Sequence, residues 1–155
     1  MELDAFSLGK QFVHVADTRI AYRDDGDGPP LLLLHGCPFS SFVWRKVIPH
    51  LLAENRCLAP DLLGTGDTET PDGADWSLPA QETMIIGFLD ALGIERVSMV
   101  GHDHGGAVAQ LLAARSRNWG DSGPELDVGA DPYSVLAERA PRDRNHSITL
   151  SCRVP

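Results

Sequence analysis

Apolar and polar residues alternate along Gln11–Val15 and again along Arg19–Arg23, with Asp17-Thr18 between them. That alternation with a short polar break predicts an antiparallel hairpin at a sheet edge. After the turn-rich stretch Asp24–Pro30 the pattern changes. Leu31–Leu34 is continuously apolar, as a central strand covered on both faces would be. Phe42–Leu52 reads as a helix capped by Ser40-Ser41 and kinked or split at Pro49. Arg56–Ala59 is another short strand, ending at Pro60-Asp61, and Leu62–Ser77 is a loop rich in Gly, Asp, Thr and Pro. Met84, Ile85, Phe88, Leu89 and Leu92 then fall on one face of a helix that Ser77 caps, Pro79 opens and Gly93 ends. Glu95–Val100 is the last strand of the pattern, and a small-residue helix, AVAQLLAARS, follows a glycine-rich turn. Strands alternating with helices imply an α/β layer fold with a mainly parallel sheet and an N-terminal hairpin.

After Arg115 the β-α pattern stops. Residues 116–155 are rich in turn formers and poor in apolar residues, so they are expected to form an irregular, loosely packed tail behind a first unit spanning 1–115. Ser134–Arg139 suits a helical turn or two and Ser147–Val154 a short strand. With no further strand beside it, the strand at 97–100 becomes an exposed edge that invites self-association. The abrupt change leads us to expect a chain truncated, or read out of frame, after about Arg115.

Composition narrows the function classes. The 155 residues suffice for one domain with a real core, and a formal charge of −9 excludes a basic nucleic-acid surface. The N-terminus MELDAFSLGK has no apolar run, and no stretch approaches a membrane span, so a cytoplasmic protein without a membrane partner is expected. Cys37, Cys57 and Cys152 are few and far apart and suggest reduced thiols rather than a metal cluster. No metal and no organic cofactor is implied. Cys57 and Trp44 read as core residues, and His14 and His50 as surface positions.

The chemistry concentrates at VSMVGHDHGG, residues 97–106. Strand, sharp glycine turn and helix make a nucleophile elbow, which stands one side chain alone at the carboxyl end of the sheet. Here that side chain is Asp103. Gly101 and Gly105 flank the tip where a β-carbon would strike a neighbour, and Gly106 lets the helix lie close to the sheet. A carboxylate at the tip suits attack on carbon, with an enzyme ester as the product. No Ser occupies the elbow, which argues against a serine-type esterase.

Four stretches together resemble the N-terminal half of an α/β-hydrolase: LLLLHGCP at 31–38, SSFVWRKVIPHL at 40–51, RCLAPDLLGTGDT at 56–68 and VGHDHGGAVAQ at 100–110. More narrowly they are similar to the haloalkane dehalogenase and epoxide hydrolase branch, which uses an Asp nucleophile. The resemblance implies a small apolar electrophile as substrate, an epoxide or an alkyl halide, and a His-activated water that later hydrolyses the ester. It implies oxyanion donors at the backbone N–H of Cys37 and of His104. It makes His35, Gly36 and Pro38 the loop that shapes the site, with 61–68 framing it. Dehalogenases of this branch commonly carry a Trp after the nucleophile and often an Asn after the His-Gly pair, where this chain has His104 and Cys37. A thiol is a weak donor for a leaving halide, whereas a protonated His104 can hold an anion. His102 is expected to pack beside the elbow. The only His beyond the elbow is His146, in the irregular tail. Two readings therefore stand: a hydrolase of the Asp-nucleophile branch, and a catalytically incomplete hydrolase fragment with no turnover.

Overall fold

The four leucines at 31–34 are all buried, and successive ones face opposite sides of one sheet. Leu31 and Leu33 pack with Phe6, Trp44, Ile48, Cys57 and Ala59 on one face. Leu32 and Leu34 pack with Ile20, Leu58, Phe88, Met99 and Val108 on the other. Burying each such side chain contributes roughly 1.5–3 kcal/mol, so the strand that carries them belongs at the centre.

The computed structural model describes residues 3–118, 125–131 and 134–140. Helix α1 (Leu3–Leu8) precedes the hairpin of β1 (Gln11–Val15) and β2 (Thr18–Asp25). Next come β3 (Pro30–Leu34), a 3-10 turn over Ser41–Lys46 and the one-turn helix α2 (Ile48–Leu51). Pro49 sits in the first turn of α2, so the expected single helix is indeed split, and the Ser40 hydroxyl accepts from Phe42 N–H at its start. Strand β4 (Arg56–Pro60), helix α3 (Leu78–Ala91), strand β5 (Ser98–Gly101) and helix α4 (His104–Asn118) follow. Ser77 stands at the N-cap of α3 without a side-chain capping bond, because its hydroxyl is turned to the Asp75 carboxylate. Strand β5 begins at Ser98 rather than Glu95, and Glu95 and Arg96 are exposed.

The sheet has seven strands in the order β1-β2-β4-β3-β5-β7-β6, where β6 is Glu125–Asp131 and β7 is Ser134–Ala140. Its centre, β4-β3-β5, is parallel, and an antiparallel hairpin lies on each side. Two expectations are corrected here. Ser134–Arg139 is not a helical turn but part of a strand. Strand β5 is not an edge, because Ser98–Gly101 pairs antiparallel with β7 from Glu138 to Val135. A hairpin, not a further β-α unit, covers it. Ser147–Val154, His146 and Cys152 lie outside the described residues. Among the described residues, no helix is long and apolar enough to cross a membrane.

Parallel strands bring their carboxyl ends to one rim. Leu34 pairs with Gly101 at the ends of β3 and β5, and β4 ends alongside at Pro60. Three loops leave that rim together, beginning at His35, Asp61 and His102.

Candidate active site

The elbow is held from both sides. His102 N–H donates to Leu34 O at 2.9 Å, tying the turn to the end of β3. Gly106 and Ala107 N–H donate back to Asp103 O at 2.9 and 3.2 Å, which starts α4. Between these anchors Asp103 adopts φ 53, a left-handed backbone that costs a residue with a β-carbon about 1–2 kcal/mol. The other described non-glycine residue there, Ala16 at φ 50, lies in the β1–β2 turn.

Close backbone packing explains most of the glycines. A β-carbon on Gly105 would lie 2.3 Å from Leu34 O, and one on Gly101 would lie 2.5 Å from Gly105 O. On Gly36 it would meet the Asp103 side chain at 2.7 Å. Gly106 differs from expectation. Its nearest neighbour would be Gly101 O at 3.5 Å, an ordinary contact, so the helix does not need a glycine there.

The Asp103 side chain is exposed at the rim, and it lies against the Gly36 loop. Cys37 N–H donates to Asp103 Oδ2 at 3.1 Å. Hydrogen bonds from the N–H groups of His104 and Cys37 hold the carboxyl below its ordinary range, with smaller help from the His102 and His104 imidazoles. The structure thus brings together Asp103 and both expected oxyanion donors. Cys37 and Pro38 are exposed, and His104 is half-buried. His102 is exposed rather than packed beside the elbow, held by its backbone N–H to Leu34 O with its ring left in solvent near Asp103.

His35 is fully buried. Its Nε2 accepts from Leu62 N–H at 3.0 Å, so Nδ1 carries the proton and donates to Gly36 O at 2.9 Å. Burial pushes its pKa down, which keeps the ring neutral. Its role is to lock the Gly36 loop to the loop after β4.

That second loop is built on Asp61, which is also fully buried. Ser41 N–H donates to its Oδ1 at 2.8 Å, and Asp67 N–H to its Oδ2 at 2.8 Å. Gly66 allows this at φ +55, where a β-carbon would fall 2.1 Å from Asp61 Oδ2. Lys10 Nζ reaches the same oxygen at 2.5 Å and Asp67 at 2.7 Å. Gln81, buried on α3, clamps Leu63 by accepting its N–H at 2.8 Å and donating to its carbonyl at 3.0 Å. Sequence reasoning missed Lys10 and Gln81. Neither sits in a motif, and both act across long stretches of chain. Among the described residues no three His, Cys, Asp or Glu side chains converge as a metal site.

The alpha/beta hydrolase fold family matches residues 29–122. Haloalkane dehalogenase 2 of Mycobacterium bovis is 42% identical over 95 residues, which cover 61% of this chain and 33% of that protein. The soluble epoxide hydrolase of a Corynebacterium species is 43% identical over 101 residues, 64% of this chain and 35% of that protein. The crystal structure of an ancestral haloalkane dehalogenase superposes with a TM-score of 0.66 at 40% identity, over 70% of this chain and 38% of that one. The chain therefore spans about a third of the length of the curated relatives it matches.

Proposed function

The chain belongs to the α/β-hydrolase fold family, and we propose that its chemistry is nucleophilic substitution by Asp103 at an electrophilic carbon. One carboxylate oxygen attacks a small apolar alkyl halide or epoxide. An O–C bond forms, and the C–halogen or C–O bond breaks with its electron pair leaving on the halide or alkoxide. The product is an alkyl ester of Asp103. When water then attacks the ester carbonyl and gives up a proton to solvent, negative charge develops on the oxygen that faces the Cys37 and His104 N–H groups. Collapse breaks the acyl C–O bond, and the alcohol leaves with a proton from solvent. The same two donors thus serve the resting carboxylate and the later oxyanion.

The observation that carries this reading is the Asp103 side chain, exposed on a φ 53 backbone with one oxygen taken by Cys37 N–H at 3.1 Å. Held that way, the carboxylate is presented at the rim rather than buried among the loops. Two similar proteins, a haloalkane dehalogenase and a soluble epoxide hydrolase, support the substrate class. A second reading, a catalytically incomplete hydrolase with no turnover, is favoured by the exposure of Asp103. An open rim keeps the carboxylate hydrated and gives an apolar substrate little surface to bind.

The test is incubation with a bromoalkane and, separately, an aryl epoxide, followed by peptide mass analysis. Alkyl mass on the peptide holding Asp103, absent from Asp103→Asn, is the expected result. Steady release of alcohol or diol supports the full cycle, and an ester that accumulates supports the half-reaction. Labelling that persists in Asp103→Asn, or none with either substrate, would overturn the nucleophile.

A further inference from the structure

Lys10 stands outside every motif of the site, yet its side chain is 2% exposed and the Asp61 carboxylate it meets is 0% exposed. A buried ammonium is costly unless it is paired, so such a contact holds both partners tightly. Its base is fixed as well. Lys10 N–H donates to Ser7 O at 3.0 Å, which ties it to the end of α1, whose Phe6 is core. From there the ammonium reaches across to the loop after β4. It also meets Asp67, whose own N–H donates to Asp61, so a single cation closes the whole 61–67 turn.

That turn is joined to the elbow by one continuous set of bonds. Leu62, next to Asp61, gives its N–H to His35 Nε2. His35 Nδ1 gives its proton to Gly36 O. Gly36 O and Cys37 N–H belong to the same planar peptide, so holding the carbonyl fixes the direction of the N–H on its opposite side. That N–H points at Asp103 Oδ2. We propose that Lys10 is a positioning residue for Asp103: by clamping Asp61 it holds His35, and through His35 it aims the Cys37 N–H at the nucleophile. The proposal deepens the reading of Asp103 given above and rests on it, although its geometry is that of the carboxyl group alone.

The test follows the Asp103 carboxyl directly, by carbon NMR of protein labelled at Asp, with Asp103→Asn to assign the signal. In Lys10→Met the freed turn lets the Cys37 N–H drift, one stabilising donor to the anion is lost, and the titration midpoint of Asp103 moves up. Lys10→Arg, which restores a cation, brings it back. Alkylation of Asp103 slows about tenfold in Lys10→Met, because the carboxylate is no longer held in one direction of attack and the lost orientation outweighs its greater basicity. Should Lys10→Met not fold, Lys10→Met with Asp61→Asn leaves no unpaired buried charge, and the same upward movement is expected. An Asp103 midpoint unchanged from wild type in the folded variant would overturn the proposal. If wild type forms no alkyl ester but the midpoint still moves, the nucleophile reading fails while the positioning holds.

Discussion

Asp61 and Asp103 leave the same sheet rim on either side of β3, and each carboxylate accepts two backbone N–H groups. Their surroundings are opposite. Asp61 has no exposed surface and is also met by Lys10. Asp103 is exposed on a left-handed backbone. One carboxylate has spent its lone pairs on holding loops together. The other is left facing solvent, as the proposed nucleophile would need to be. The chemical meaning of an acidic residue at a strand end therefore lies in what remains unsatisfied around it, not in how many donors it has.

Exchanging each carboxylate for its amide should separate the two most sharply. Asp61→Asn leaves the buried Lys10 ammonium with only the exposed Asp67 carboxylate beside it, a loss of about 1–3 kcal/mol in denaturant unfolding. Asp103→Asn changes an exposed group and keeps a residue type that tolerates the left-handed backbone, so stability should hardly change. Labelling by a bromoalkane should reverse the order, falling more than about 10³-fold in Asp103→Asn, as expected when a nucleophile is removed. Equal destabilisation by both changes would break the comparison.

The half of this contrast that lies at the elbow was legible in the sequence; the half that lies at Asp61 was not. Strand, glycines and helix around Asp103 are local, and so is the alternation of buried faces along Leu31–Leu34. Both are set by residues a few positions apart, which is what periodicity reports. The Lys10–Asp61 pair joins residues 51 positions apart, and no local pattern marks which charge will be buried. The β6–β7 hairpin had a signal that composition outweighed. Leu126, Val128 and Ala130 alternate with other residues ahead of Pro132, a strand-and-turn pattern inside a segment otherwise rich in turn formers. The 61–68 loop was expected to frame the site, but its dependence on Gln81 and on His35 is purely tertiary.

A smaller effect sharpens the comparison at the elbow itself. Gly105→Ala drives a β-carbon to 2.3 Å from Leu34 O, a backbone atom that does not yield easily. It should cost about 1–3 kcal/mol in unfolding and slow the labelling of Asp103 as the turn shifts. Gly106→Ala meets nothing closer than 3.5 Å, in a helix that favours Ala over Gly by about 0.5–1 kcal/mol. It should leave stability level or slightly raised. Equal losses from the two changes would mean that the elbow is not packed against β3 as described.

The smallest expected effect is a pH dependence that belongs to the loop side of the comparison. His35 has its pKa pushed below the ordinary imidazole value of 6.5 by burial, so the unfolded chain takes up a proton at a higher pH than the folded one. Stability is then complete above that value and declines as pH falls from it toward the lower folded value. One proton gives a slope of at most about 1.4 kcal/mol per pH unit. Asp103 works in a separate, more acidic window. Its folded pKa is lowered, so its contribution is present above the ordinary carboxylate range and is lost only as pH falls through the depressed value. Urea unfolding followed across mildly acidic pH should therefore show the His35 slope. His35→Asn keeps one donor and one acceptor but cannot take up the proton, and should flatten that slope. Asp103→Asn should leave it unchanged. A slope that survives in His35→Asn would mean that another group, not the ring linking the two loops, carries the acid sensitivity.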